Sequence, residues 1–192
     1  GRSRQHWQAL DRAHHLHPFT DFHELAEHGT RVITRAGRIY IYDIDGREYL
    51  DGMSGLWCCN LGYSRHEIID AVTRQLQELP FYNNFFQCAH PPSIELAQVL
   101  AEVAPPHMKH VFFTNSGSES VDTALKIALA YHRVRGEGTR TRLIGRERGY
   151  HGVGFGGISV GGMVNTRKFF GAQLPGVDHL PHTHDLARNA FS

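Results

Sequence analysis

Three short stretches with strand-type composition near the N-terminus predict a β meander. They are Arg31–Thr34, Arg38–Asp43 and Arg47–Leu50, and they are rich in Ile, Val and Tyr. Ala36-Gly37 separates the first pair and Asp45-Gly46 the second. Because Asp-Gly is a strong signal for a tight hairpin, the last two stretches are expected to pair.

Helical spacing of apolar residues follows in two segments, and a third, weaker helix is predicted over residues 6–16, before Pro18. One segment begins after Ser64 and ends at Pro80, and the other runs from Pro92 to Val103. Proline at or after the last apolar position ends a helix, which fixes these limits. The residues expected to share the apolar face of the first segment are Ile68, Ile69, Val72, Leu76 and Leu79.

The second half of the chain predicts a strand, a turn, a long helix and another strand. These are His110–Thr114, Asn115–Ser118, Glu119 to about Arg135, and Arg142–Gly145. This order is typical of a βαβ unit, in which a parallel sheet carries helices on its faces. After His151 the chain is rich in glycine, so this segment and the last twenty residues are expected to be loop.

Composition narrows the class of protein. The 192 residues are 41% hydrophobic and 20% charged with a net charge of +1, which suits a globular protein and gives no electrostatic case for nucleic acid or an anionic membrane. No apolar run approaches the roughly 18 residues of a membrane span. The three cysteines form no disulfide framework, and reduced thiols predict a cytoplasmic protein.

Ser116-Gly117-Ser118-Glu119 lies where the predicted strand leads into the long helix. The N-terminus of a helix has unpaired N–H groups and a partial positive charge, and a phosphate dianion satisfies both. The same four residues also form a capping box, Ser-x-x-Glu, which needs no ligand. On local chemistry alone both interpretations stay open, and they are compatible with each other.

A wider set of motifs resembles the class-III aminotransferases, which are enzymes of fold type I that use pyridoxal phosphate (PLP). Three of these motifs surround the phosphate turn and three lie upstream, where they look like the omega-transaminase branch. They are Phe113–Ser120, Ala124–Ala128, Tyr150–Gly152, His17–Thr20, Asp51–Trp57 and Pro80–Phe86. The resemblance covers essentially the whole chain and predicts an α/β fold with a mostly parallel sheet, flanking helices and the N-terminal meander, incomplete in this chain.

The resemblance implies roles for individual residues. Ser116, Gly117 and Ser118 would hold the PLP phosphate, Tyr150 would stack on the pyridine ring, and His151 would be a positioning residue. Phe19, Leu56 and Trp57 would line the substrate pocket, whereas Phe85 and Phe86 would reach the partner's active site across a homodimer interface. The plain alternative for the large apolar residues is a place in the core, and for Tyr150 a packed ring with a bonded hydroxyl.

The resemblance also predicts what lies outside this sequence. The Schiff-base lysine, the carboxylate at the pyridinium nitrogen and the arginine for the substrate carboxylate all follow Tyr-His-Gly in the family. Lys109, Lys126 and Lys168 are the lysines here, and none fits the role. We therefore expect an N-terminal part of a protein roughly twice as long, with no catalytic residue of its own and no activity alone. Residues 1–55 would belong to the small domain and residues 56–192 to the large PLP-binding domain.

The implied activity is transfer of an amino group from an amine or omega-amino acid to pyruvate through PLP. Two alternatives remain: another class-III reaction, such as decarboxylation or aminomutation, and a catalytically inactive binding module. No metal site is expected, because histidines five apart in His23–His28 do not share a helix face. We interpret His179, His182 and His184 as loop histidines, Asp43-x-Asp45-Gly46 as a turn, and Gly152-x-Gly154-x-x-Gly157 as loop rather than a dinucleotide fingerprint.

Overall fold

The computed structural model describes residues 1–184 and residue 187. It has two compact units, Gly1–His90 and Pro91–Ser192. The predicted boundary between residues 55 and 56 concerns the domains of a complete enzyme and stays a prediction.

The first unit begins with two capped helices, α1 (Arg4–His14) and α2 (Phe22–His28). The Ser3 side chain caps α1 by accepting from His6 N, and Asp21 caps α2 by accepting from His23 N and Glu24 N. Helix α1 begins and ends two residues before the predicted limits of 6 and 16. Helix α2 was not predicted, because it is short and its start depends on the Asp21 cap rather than on periodicity.

The meander is confirmed as an antiparallel sheet of β1 (Ile33–Gly37), β2 (Tyr40–Asp43) and β3 (Glu48–Leu50), in that order. The predicted turn at Asp43 is also present. The Asp43 carboxylate accepts from Asp45 N at 3.0 Å and Arg47 N at 2.9 Å, and the Tyr49 hydroxyl donates to it at 2.8 Å. The bond from Tyr49 is the main cause that lowers the pKa of Asp43.

A four-residue helical turn, α3 (Ser54–Trp57), and helix α4 (His66–Glu78) follow the meander. Helix α4 confirms the helix predicted between Ser64 and Pro80. The turn α3 was not predicted, and its backbone is left-handed.

The second unit contains α5 (Pro91–Val103), α6 (Gly117–Val134), β4 (Leu143–Arg146), α7 (Phe155–Val160) and β5 (Val177–Leu180). Strands β4 and β5 pair in parallel. A parallel sheet was predicted for this half of the chain, but with His110–Thr114 as the second strand. The loop predictions after His151 were wrong in two places, because α7 lies in the glycine-rich segment and β5 lies within the last twenty residues.

The strand predicted at His110–Thr114 does not form; these residues are irregular. A strand exists only through a neighbour that accepts and donates its ladder bonds, and in the described residues none of the five is paired in a sheet. The strand prediction for His110–Thr114 was therefore wrong.

The tightest packing of the second unit lies between β4 and the C-terminal end of α7. Ile158 and Val160 are its buried apolar residues, and Ser159 is buried beside them. The Ser159 hydroxyl donates to Phe155 O at 2.5 Å and accepts from Leu174 N at 3.0 Å. Gly145 of β4 is buried, and a Cβ atom built on it would overlap the Val160 carbonyl oxygen.

The apolar residues predicted to share the inner face of α4 are exposed in this chain, whereas Val121, Leu125 and Leu129 of α6 are half-buried. Helices α4, α5 and α6 contain no buried residue. The exposed apolar face of α4 is therefore available for packing with further protein. No helix in the described residues is long and apolar enough to cross a membrane.

The packing at Gly145 predicts a position-specific loss of stability. We expect Gly145→Ala to lower the free energy of unfolding by about 1–3 kcal/mol, because the added methyl group must displace the Val160 carbonyl. Gly138→Ala is the matched control in the same unit, since its Cβ would meet only Arg133 Cγ at 3.8 Å. Urea unfolding followed by circular dichroism measures both; equal effects would contradict this packing.

Candidate functional site

The N-terminus of α6 has the capping box predicted from the sequence. Ser116 is the N-cap, and its hydroxyl accepts from Glu119 N at 3.1 Å. In return, Glu119 Oε2 accepts from Asn115 N at 2.9 Å. The capping alternative is therefore correct as geometry, and it uses the Glu119 N–H.

Capping leaves two backbone donors of the first turn available. Among the described residues, no acceptor takes the N–H of Gly117 or of Ser118. A Cβ atom built on Gly117 would meet nothing within 4 Å, so the space beside this turn is open. Two unpaired N–H groups at the positive end of an 18-residue helix, beside open space, are suited to an anion.

The segment that carries Tyr150 and His151 lies against this same turn. Ser118 Oγ accepts from Val153 N at 3.0 Å. Gly152 has a φ of +104°, and a Cβ atom built on it would lie 2.7 Å from Ser118 Oγ and 2.8 Å from Ser118 Cα. Only glycine allows this approach. The Tyr150–Gly152 motif therefore lies against the Ser116–Glu119 turn. Tyr150 and His151 are exposed beside it.

Asp122 contacts the next part of the same segment, from Gly154 to Gly157. Asp122 was not identified from the sequence. Its Oδ1 atom accepts from Gly157 N at 2.8 Å, and Cβ atoms built on Gly154 or Gly156 would lie 2.5 Å from its carboxylate. Ser118 and Asp122 are four residues apart, so they share one face of α6. That spacing, opposite a run of glycines, was the available signal.

The five predicted substrate-binding residues all lie in the first unit and are exposed. Four of them have positive φ: Phe19 (47°), Leu56 (60°), Trp57 (66°) and Phe86 (53°). This backbone region costs an L-residue roughly 1–2 kcal/mol. Such strain concentrates at functional sites. The fifth residue, Phe85, has its N–H bonded to Asn83 Oδ1 at 2.9 Å.

One cluster in the described residues has the composition of a metal site: Asp11, His15 and His17. The His15 Nδ1 and His17 Nε2 atoms each lie 2.9 Å from Asp11 Oδ1, and His17 Nε2 lies 2.9 Å from Oδ2. Hydrogen bonding to His17 is the main cause that lowers the pKa of Asp11. The three side chains thus bond to one another and join the end of α1 to the segment before Phe19.

One cluster of histidines, His179, His182 and His184, was considered from the sequence. Among the described residues, these three are not brought together as a group of metal ligands. His179 lies in β5 rather than in a loop, and its Nε2 atom is 2.9 Å from the Gly161 carbonyl oxygen. The loop interpretation was therefore wrong for His179.

The sequence profile described as aminotransferase class-III matches residues 24–190, most of the chain. The chain belongs to the class-III aminotransferase family. It is 51% identical over 174 residues to the putrescine–pyruvate aminotransferase of Pseudomonas aeruginosa, covering 91% of this chain and 38% of that protein. It is 54% identical over 172 residues to the omega-aminotransferase of Caulobacter vibrioides, covering 90% and 39%.

Solved structures confirm the predicted fold type. The (S)-enantioselective omega-transaminase from Thermomicrobium roseum superimposes with a TM-score of 0.93 at 37% identity, over 98% of this chain and 42% of its own. The omega transaminase of Pseudomonas jessenii in complex with PMP gives 0.90 at 38% identity, over 96% and 41%. The class-III chain thus spans about two fifths of the length of the relatives it matches.

Within the class-III fold, Lys126 is poorly placed to reach a ligand held at the helix N-terminus. It lies nine residues after Gly117 along α6, which corresponds to roughly 13 Å along the axis. The expectation that none of the three lysines is the Schiff-base lysine stays a prediction.

A substitution at Gly117 distinguishes helix capping from phosphate binding. Capping needs no space beside Gly117, whereas a bound phosphate does. We expect Gly117→Ala, in the full-length protein without cofactor, to leave the thermal midpoint unchanged or to raise it slightly, because alanine favours a helix. The same change should weaken PLP binding by about tenfold or more, because the methyl group takes space beside the free N–H groups. Calorimetry and PLP titration measure the two effects. An unchanged PLP affinity would contradict the phosphate assignment.

Proposed function

We propose that the full-length protein is a PLP-dependent transaminase that moves an amino group from an amine or omega-amino acid to pyruvate. The observation that carries the proposal is the first turn of α6, where Gly117 and Ser118 present unpaired N–H groups beside the Tyr150–His151 segment. The relatives support the substrate class: proteins of Pseudomonas putida and Pseudomonas aeruginosa at 48% and 51% identity are an omega-amino acid–pyruvate and a β-alanine–pyruvate aminotransferase.

The residues present fit the cofactor. Gly117 and Ser118 would hold the phosphate through their N–H groups, with Ser116 beside them as the cap. The exposed ring of Tyr150 offers a flat face of the kind that stacks on an aromatic heterocycle, and His151 would position the cofactor next to it. When bound, PLP supplies an electron sink for the carbon that loses a proton.

Residues of the first unit would line the pocket for the amine donor. Leu56, Trp57 and Phe19 present apolar surface to a donor amine, which would favour donors with an apolar or aromatic group and would exclude water. A tryptophan-to-glycine variant of the Pseudomonas jessenii transaminase is described as engineered for synthesis of enantiopure bulky amines. A large indole that limits donor size is consistent with the same use of Trp57.

The assembly and its location are part of the same proposal. A homodimer would let Phe85 and Phe86 contribute to the partner's site, and the exposed apolar face of α4 is suited to burial by further protein. The division into residues 1–55 and 56–192 would then be that of the small and large domains. Three free cysteines are consistent with a cytoplasmic enzyme.

Two half-reactions test the proposed activity in the full-length protein. An omega-amino acid such as β-alanine, or an amine such as putrescine, should remove the visible absorbance of the bound cofactor, and pyruvate should restore it with release of alanine. Mass spectrometry of the products and a carbon dioxide assay accompany the spectra. No spectral change with any amine would contradict transamination, and carbon dioxide release during turnover would favour the class-III decarboxylase instead.

A further inference from the structure

The turn α3 places Leu56 and Trp57 on a left-handed backbone. Ser54, Gly55, Leu56 and Trp57 all have positive φ, and Gly55 and Leu56 have the full left-handed helical dihedrals of 59°, 38° and 60°, 52°. Trp57 N donates to Met53 O at 2.9 Å and Cys59 N donates to Ser54 O at 2.8 Å. L-residues avoid this conformation, so other contacts have to hold the turn in place.

The Asp51 carboxylate supplies these contacts. Its Oδ1 atom accepts from Met53 N at 3.2 Å, and its Oδ2 atom accepts from Gly55 N at 2.9 Å. Both donors belong to the backbone that enters the left-handed turn. Bonds from backbone N–H groups to a carboxylate are stronger than those between neutral groups.

Tyr63 fixes the carboxylate from the other side. Its hydroxyl donates to Asp51 Oδ2, and this bond is the main cause that lowers the pKa of Asp51 and raises that of Tyr63. The pair therefore stays a phenol and a carboxylate near neutral pH. The tyrosine is fixed in turn, because Tyr63 N donates to the carbonyl of Arg38 in the hairpin at 2.8 Å.

The residues around Asp51 and Tyr63 are closely packed. A Cβ atom built on Gly55 would lie 3.2 Å from the Tyr63 hydroxyl oxygen and 3.0 Å from Cys59 Sγ. Gly62, with a φ of +80°, lets the chain approach the Arg38 carbonyl, where a Cβ atom would lie 2.6 Å from the oxygen. The hairpin at Arg38 is thus connected to the α3 turn through Tyr63 and the Asp51 carboxylate, all within the first unit.

We propose that Asp51 and Tyr63 are positioning residues that determine donor selectivity, because they hold the left-handed turn that presents Leu56 and Trp57. The proposal rests on the proposed function, in which the side chains of Leu56 and Trp57 line the donor pocket. Asp51 and Tyr63 would act through the orientation of Trp57 rather than by contact with the reacting atoms.

Tyr63→Phe in the full-length holoenzyme tests the connection with little change in size. We expect the KM for an arylalkyl amine such as 1-phenylethylamine to rise about tenfold, the effect of losing one bond to a charged group. The KM for propylamine should rise much less, because a small donor makes little contact with the indole. Asp51→Asn should act in the same direction.

Tyr49→Phe is the matched control. It removes a tyrosine hydroxyl that donates to a carboxylate, Asp43, at 2.8 Å in the same unit. The carboxylate that accepts from the backbone of the α3 turn is that of Asp51 instead. Its selectivity between the two amines should be that of the wild type. If Tyr63→Phe changes both amines equally, as a general loss of stability would, the proposal is overturned.

Amide hydrogen exchange provides a readout that needs no transamination. In Tyr63→Phe the N–H groups of Gly55 and Trp57 should exchange about tenfold faster, whereas Tyr49→Phe should leave them protected. Unchanged exchange would overturn the positioning role. A wild-type protein that responds to no amine would overturn the proposed function alone, and the exchange result would still decide whether Asp51 and Tyr63 hold the turn.

Discussion

The second unit depends on backbone contacts that only glycine allows. Gly152 lies on the first turn of α6, and Gly154 and Gly156 lie against Asp122 one turn further along. Gly145 and the end of α7 approach each other in the same way. Because no side chain intervenes, the segment that carries Tyr150 and His151 is held beside the two free N–H groups at the start of α6. The proposed anion site would therefore depend on close packing and helix polarity together.

The first unit depends on a different constraint, which is strain held by hydrogen bonds. Large side chains at Phe19, Leu56, Trp57 and Phe86 lie on left-handed backbone and remain exposed. A protein tolerates this cost where the resulting direction of the side chain is useful. The Asp51 carboxylate at α3 shows how the cost is offset locally, by backbone donors that would otherwise be unpaired.

Sequence patterns predicted the features that follow from local chemistry. The helix α4 follows from apolar spacing between Ser64 and Pro80, and the turn at Asp43 follows from Asp-Gly. Features that depend on contacts distant in sequence were not predicted. Helix α7 has a glycine-rich sequence that suits its approach to α6 rather than helix formation, and the apolar residues His110–Thr114 form no strand because a strand also needs a neighbour. Side-chain type likewise gave no indication that Leu56 and Trp57 would have positive φ.

We propose that the first turn of α6 holds the phosphate of the cofactor. The most direct measurement compares the binding of PLP and of pyridoxal, which lacks the phosphate, to the full-length protein without cofactor. Two charge-assisted N–H bonds predict that pyridoxal binds about 100-fold more weakly, and that inorganic phosphate competes with PLP. Equal affinities, with no competition by phosphate, would contradict the assignment of this turn.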